Sequence, residues 1–112
     1  MRSEDKLCLL GILESIGRID DYIKSIHSYE DFAQDSKTMD ACLMHLVNIG
    51  EMTTRLSEEL QSDHSDIEWH KIRGMRNIIA YDYFGIDDQE IWSIVSIHIP
   101  TLKQNISRLV IQ

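Results

Sequence analysis

The chain has 112 residues, a formal net charge of −8, one proline and five glycines. This length fits a single domain over residues 1–112. No apolar run reaches the roughly 18 residues that span a membrane. The acidic balance argues against broad, nonspecific nucleic-acid binding, which needs a basic surface. Because acids precede the first apolar cluster, no signal peptide is predicted, and we expect a cytoplasmic protein.

The cysteines and histidines predict no metal site. Cys8 and Cys42 are far apart and form neither a disulfide framework nor a metal-binding spacing, so we expect free thiols in a reducing compartment. The five histidines form no pair at metal-ligand spacing. His45 lies beside an apolar stripe and is predicted to be partly buried. No cofactor is predicted.

Helical periodicity dominates the first half of the chain. A first helix is predicted over about residues 4–27, and Ser28 should cap a short helical turn after it. A second long helix should begin near Asp35 or Ser36 and follow an apolar stripe as far as Leu60. Gly50 interrupts this helix, and we expect it to permit close packing, with a kink as the alternative.

The second half also predicts helices. Residues 61–66 have loop composition, and Ser65 or Asp66 should cap a third helix. A last helical region opens at Asp87, which with Glu90 resembles a capping box. Pro100 must kink or restart this region because it lacks a backbone donor. The third helix should bury Trp69, Ile72, Met75 and Ile79, and the last one Ile91, Ile94, Val95 and His98. The predicted fold is all-α, an antiparallel bundle of four or five helices.

A short basic stretch stands out in this acidic chain. Residues 69–77, "WHKIRGMRN", contain Lys71, Arg73 and Arg76 and no acid, and residues 76–83 continue as "RNIIAYDY". On an ideal helix Arg76 and Tyr83 project the same way, and Arg73 lies one turn before Asn77. Guanidinium, amide and phenol groups together suit a phosphate-bearing ligand. The alternative is a helix end where tyrosines pack and an arginine pairs with an acid.

Four segments in order carry a family resemblance. They are "IGEM" (49–52), "IEWHKIRGMRNIIAYDYFGID" (67–87), "IW" (91–92) and "IPTL" (99–102). With them the chain resembles HepT-like proteins of the HEPN superfamily, the toxin half of a toxin–antitoxin pair. The resemblance implies an all-helical homodimer that cuts RNA without a metal, beside an MntA-like nucleotidyltransferase antitoxin.

The resemblance also implies roles for individual residues. The family pattern is arginine, asparagine, three residues, histidine, one residue, tyrosine. Arg76 and Asn77 match its start, and Tyr83 matches the tyrosine that accepts adenylyl groups from the partner. Arg73, Arg76 and Asn77 are therefore the expected phosphate and RNA contacts.

Tyr81 stands where the family has its acid–base histidine. A phenol has an ordinary pKa of about 10 and is a poor base at neutral pH. Arg76 and Tyr81 are thus the expected catalytic positions, with cleavage impaired. A non-catalytic module that docks the nucleotidyltransferase or RNA is the alternative, and a change at position 81 introduced to permit expression is another.

Two further residues bear on this site. His70 adjoins the basic stretch and is a candidate substitute acid–base group. Glu51 is expected to pair with Arg55 one turn later, or to orient Arg76 from across the bundle.

Overall fold

The computed structural model describes residues 1–77 and 87–111. In these ranges all regular structure is helical, which confirms the all-α prediction. The longest helices are α1 (Ser3–Ile23) and α3 (Ser36–Thr54). Shorter ones are α2 (Tyr29–Ala33), α4 (Glu58–Asp63) and α5 (Trp69–Gly74). The chain then forms α6 (Asp88–Ser93), a π-helical segment (Ile94–His98) and α7 (Ile99–Ile111).

Helices α1 and α3 pack antiparallel, as two hydrogen-bonded pairs establish. The Asp5 carboxylate near the start of α1 accepts from the Ser57 backbone N–H and hydroxyl, 2.8 and 2.6 Å away, just after α3 ends. Farther along, Ser15 on α1 meets His45 on α3. The core between them is apolar, and α7 closes it against α1. This is the predicted antiparallel bundle.

Three helix starts agree with the prediction. Ser28 caps α2 through the backbone N–H of Asp31, at 3.1 Å. Asp35 caps α3 through Thr38, at 3.0 Å, so the second long helix begins where the sequence placed it. Asp87 likewise accepts from the Gln89 and Glu90 backbone N–H groups at the start of α6.

Several predicted helix ends are wrong. The first helix stops at Ile23 rather than near residue 27, because the chain must turn before Ser28 can cap α2. The second stops at Thr54, because Ser57 caps a separate helix, α4, which buries Leu60 and includes residues 61–63 of the predicted loop. Neither Ser65 nor Asp66 caps α5; Glu68 occupies that position without a side-chain cap. Hydrophobic periodicity continues across such breaks and does not reveal them.

The π-helical segment changes which residues of the last helix are buried. The backbone N–H of Ile99 donates to the carbonyl of Ile94, five residues earlier, immediately before Pro100. The added residue places Ile99 in the core and leaves His98 exposed. The restart at Pro100 is confirmed, whereas the predicted burial of His98 is wrong.

The cysteines agree with the prediction of free thiols. Cys42 is buried on α3, and Cys8 is half-buried on α1. Burial, with a smaller contribution from Asp35, raises the pKa of the Cys42 thiol to about 12. Among the described residues no helix is long and apolar enough to cross a membrane.

Candidate functional site

Helix α5 displays the basic stretch on the surface. Trp69 and Ile72 are buried and anchor the helix, and the Trp69 indole N–H donates to the His64 carbonyl at 3.0 Å. Lys71 points outward and pairs with Glu68 at 2.8 Å. That pairing, led by the hydrogen bond, lowers the pKa of the Glu68 carboxyl. The apolar residues therefore hold α5 against the bundle while Lys71 faces solvent.

Helix α5 ends at Gly74, two residues before Arg76. The backbone N–H groups of Met75 and Arg76 donate to carbonyls three residues earlier, Ile72 at 3.1 Å and Arg73 at 3.3 Å. The chain thus tightens after Gly74, and the predicted third helix is interrupted at Met75 and Arg76. Arg76 lies in this turn, and both Arg76 and Asn77 are exposed.

Gly50 brings α3 into backbone contact with this turn. A Cβ atom on Gly50 would lie 2.5 Å from the Arg76 backbone nitrogen and 3.1 Å from the Arg73 carbonyl oxygen. Real side chains do not approach a backbone that closely, so only glycine permits this packing. The prediction of close packing at Gly50 is confirmed, and its partner is the segment that carries Arg76.

Glu51 follows Gly50 and faces Arg76. Its Oε2 atom lies 3.9 Å from Nη1 of Arg76, and the two side chains are 49% and 47% exposed. The pair across the bundle, rather than the one with Arg55, is the one formed. Exposed ion pairs contribute about 0–1 kcal/mol to stability. The contact therefore places a carboxylate beside the arginine without enclosing either group.

Arg73 is placed differently from Arg76. Its guanidinium is half-buried and donates to Oε1 of Gln61, whose own amide donates to the Leu56 carbonyl at 3.0 Å. Arg73 therefore ties α5 to α4. Sequence reasoning missed Gln61, because residues 61–66 were expected to be a loop. Tyr81 and Tyr83 lie outside the described residues.

The hydrogen bonds described for the histidines do not involve Arg76. His45 is half-buried, with Nδ1 3.4 Å from the Ser15 hydroxyl and Nε2 3.3 Å from the Tyr22 hydroxyl, which confirms its predicted environment. His70 is exposed on α5, and its imidazole makes no hydrogen bond within the part of the chain that the structure describes. In that same part, no three metal-ligating side chains come together.

A groove of about 550 Å³ was not foreseen from the sequence. It lies between α5 and the last helices, with Ile72, Ile94 and Leu102 as apolar walls and polar groups such as Glu68 and His98 around them. Residues before, within and after the π-helical segment line it. Its shape depends on how these helices pack against one another, and hydrophobic periodicity in the sequence does not predict that packing.

Comparison with known proteins finds one family over most of the chain. The family model described as "Ribonuclease HepT-like" matches residues 12–109. A Thermococcus cleftensis protein named "Probable ribonuclease HepT" is 32% identical over 109 residues, covering 97% of this chain and 98% of that protein. No solved structure matches the chain.

Two further relatives extend the comparison. A Methanocaldococcus jannaschii protein named "Gamma-glutamylcyclotransferase and putative RNase MJ0434" is 34% identical over 97% of this chain, which spans 49% of that protein's length. A Caldanaerobacter subterraneus protein named "Putative RNase TTE0752" is 32% identical over 88% of this chain and 87% of its own. On the family match and these relatives, the chain belongs to the HepT-like ribonuclease family of the HEPN superfamily.

Proposed function

We propose that this protein is a metal-independent endoribonuclease that acts as the toxin of a toxin–antitoxin pair, with cleavage slowed by Tyr81. The observation that carries the proposal is the placement of Arg76. It is exposed, it is followed by the exposed Asn77, and its backbone is fixed against α3 at Gly50. An arginine whose backbone is held in this way presents its donors to solvent at a fixed point of the surface, where a phosphate can reach them.

Each predicted residue has a role in this proposal. Arg76 binds the scissile phosphate and stabilises its developing charge, because a guanidinium fork matches phosphate oxygens. Asn77 orients the nucleotide beside it. One N–H donor of Arg73 binds Gln61, and its other donors bind a flanking phosphate. Tyr81 stands at the catalytic histidine position.

The assembly and the partner complete the proposal. Leu7 and Leu10 on α1 and Met44 on α3 are exposed apolar residues on neighbouring helices, which supports a homodimer. An MntA-like nucleotidyltransferase would be the antitoxin and Tyr83 the acceptor of its adenylyl groups. AMP there would add negative charge to the segment that follows Arg76 and oppose RNA binding. We place the pair in the cytoplasm.

RNA cleavage by purified variants tests the catalytic proposal. Wild type should cut transfer or messenger RNA slowly, and Tyr81→His should cut about 10²–10⁴-fold faster, because histidine transfers protons at neutral pH and phenol does not. Arg76→Ala should abolish cutting in both backgrounds. Arg108→Ala is the matched control, since Arg108 is also exposed and also lies near a carboxylate, 4.0 Å from Asp66, besides donating to Asn105 at 2.6 Å. Fast cutting by wild type that survives Arg76→Ala would disprove the site.

Tyr81 also favours a second function, a non-catalytic module that docks the nucleotidyltransferase or RNA. Phosphate binding by Arg76 does not require an acid–base group. In that case the protein should co-purify with the nucleotidyltransferase, should leave cellular RNA intact on expression, and should gain no cleavage from Tyr81→His.

A further inference from the structure

Glu51 is the carboxylate that the fold places beside Arg76, and its position is set by the backbone. It follows Gly50, whose Cα carries no side chain where the Arg76 backbone passes. The junction between α3 and the turn after α5 therefore fixes both the residue that holds a phosphate and the acid next to it. The inference below rests on the ribonuclease function proposed above.

The contact leaves both groups free to engage a ligand. Nη1 of Arg76 and Oε2 of Glu51 are 3.9 Å apart, beyond the 2.7–3.2 Å of a normal hydrogen bond. About half of each side chain is exposed. Arg76 has five donors, so a phosphate can bind the guanidinium while Glu51 stays at its edge.

Internal RNA cleavage needs a base close to the bound phosphate. The attacking 2′-hydroxyl belongs to the nucleotide that carries the scissile 3′-phosphate, so it lies beside the arginine that holds this group. Carboxylates are ionised at neutral pH and accept protons, whereas phenols are protonated. At this junction Glu51 is the acid paired with Arg76.

We propose that Glu51 is the general base of this protein and supplies the proton acceptor that Tyr81 does not. Glu51 takes the proton of the 2′-hydroxyl as the 2′-oxygen forms a bond to phosphorus. The bond from phosphorus to the 5′-oxygen breaks, and this oxygen takes a proton from water. The products are a 2′,3′-cyclic phosphate and a 5′-hydroxyl end, and Glu51 then returns its proton to water.

A double-mutant cycle with position 81 separates a base from a positioning residue. Glu51→Gln should lower kcat about 10²–10⁴-fold on a 5′-labelled oligoribonucleotide, with KM changed less than about threefold. Glu51→Asp should recover part of this loss. In a Tyr81→His background, Glu51→Gln should cost less than about tenfold, because the histidine provides another base.

The control is Glu59→Gln. Glu59 is also exposed and also pairs with an arginine distant in sequence, Arg2 at 3.5 Å, so its loss should leave kcat unchanged. An equal cost of Glu51→Gln in both backgrounds, or a rise in KM with unchanged kcat, would show that Glu51 only positions Arg76 and would overturn the proposal.

The same measurements distinguish this inference from the function on which it rests. If wild type cuts RNA in an Arg76-dependent way and Glu51→Gln cuts equally well, only the base assignment fails. If wild type and Tyr81→His both leave the oligonucleotide intact, the ribonuclease proposal fails and the base assignment with it.

Discussion

Residues with the same formal charge have different roles because their surroundings differ. Arg73 and Arg76 lie three apart in an acidic chain, yet Arg73 is half-buried on Gln61 and Arg76 is exposed beside Glu51. A half-buried guanidinium bound to an amide joins two helices and keeps only its remaining donors for a phosphate, whereas one that is half-exposed beside a carboxylate can exchange its partner for a phosphate.

The pH dependence of stability should reflect His45. Burial lowers the pKa of its imidazole, Arg18 adds to this, and Glu14 opposes it. Because the folded-state pKa lies below the unfolded value of about 6.5, the unfolded chain binds the proton more readily. This contribution to the free energy of unfolding is therefore intact above that value and declines as the pH falls through it.

Urea unfolding at pH 7.5 and 5.5 measures this effect. From pH 7.5 to pH 5.5, wild type should lose more free energy of unfolding than His45→Gln. The variant should be less stable than wild type at pH 7.5, because it loses the contacts with Ser15 and Tyr22. Equal losses in the two proteins would place the pH dependence elsewhere.

At the scale of elements, α3 contacts the turn after α5 because Gly50 has no side chain. Gly50→Ala should destabilise the fold by about 1–3 kcal/mol, because the added methyl meets backbone rather than a flexible side chain. This is the net change, because the clash outweighs the gain of about 1 kcal/mol that alanine otherwise brings to a helix interior. The displaced turn should also reduce any Arg76-dependent activity.

Gly17→Ala on α1 is the matched control for that change. A Cβ atom at Gly17 meets nothing within 4 Å, so the variant should be stabilised by about 1 kcal/mol. Chemical denaturation of both proteins gives the comparison, and Gly50→Ala unfolding at the same denaturant concentration as Gly17→Ala would contradict the packing argument.

The short helices are held by side-chain hydrogen bonds between distant parts of the chain. Asp5 on α1 binds Ser57 at the start of α4. The Tyr29 hydroxyl on α2 donates to Asp88 on α6 at 2.8 Å, and this bond raises the pKa of the phenol. Helices of five or six residues are not stable in isolation. These hydrogen bonds and the buried apolar residues therefore hold the short helices in place.

For the whole molecule, net charge and local charge have opposite effects on RNA binding. A chain with charge −8 repels RNA broadly and attracts it only near the exposed cations. The logarithm of the affinity for single-stranded RNA should therefore fall as the logarithm of the salt concentration rises. The slope should be about −2 or shallower, because each neutralised phosphate contributes about −0.7. Arg76→Ala, which removes one phosphate contact, should make the slope shallower by about 0.7.

Fluorescence anisotropy across a salt series measures this slope, and Arg108→Ala should leave it unchanged. A steep slope that Arg76→Ala does not alter would indicate a binding surface other than the one around Arg76.

The sequence by itself determined the helical class, the antiparallel bundle, the main caps and the family. Periodic apolar residues and capping side chains are local patterns that the chain must satisfy wherever it folds. The basic stretch and the arginine–asparagine pair were also visible as local departures from the acidic composition.

Tertiary structure decided the breaks at Ile23 and Thr54, the register shift that exposes His98, and the environment of Arg76. The choice of Arg76 rather than Arg55 as the partner of Glu51 depends on how closely α3 approaches the turn after α5. That distance is the result of packing between segments far apart in the chain, and no local pattern records it.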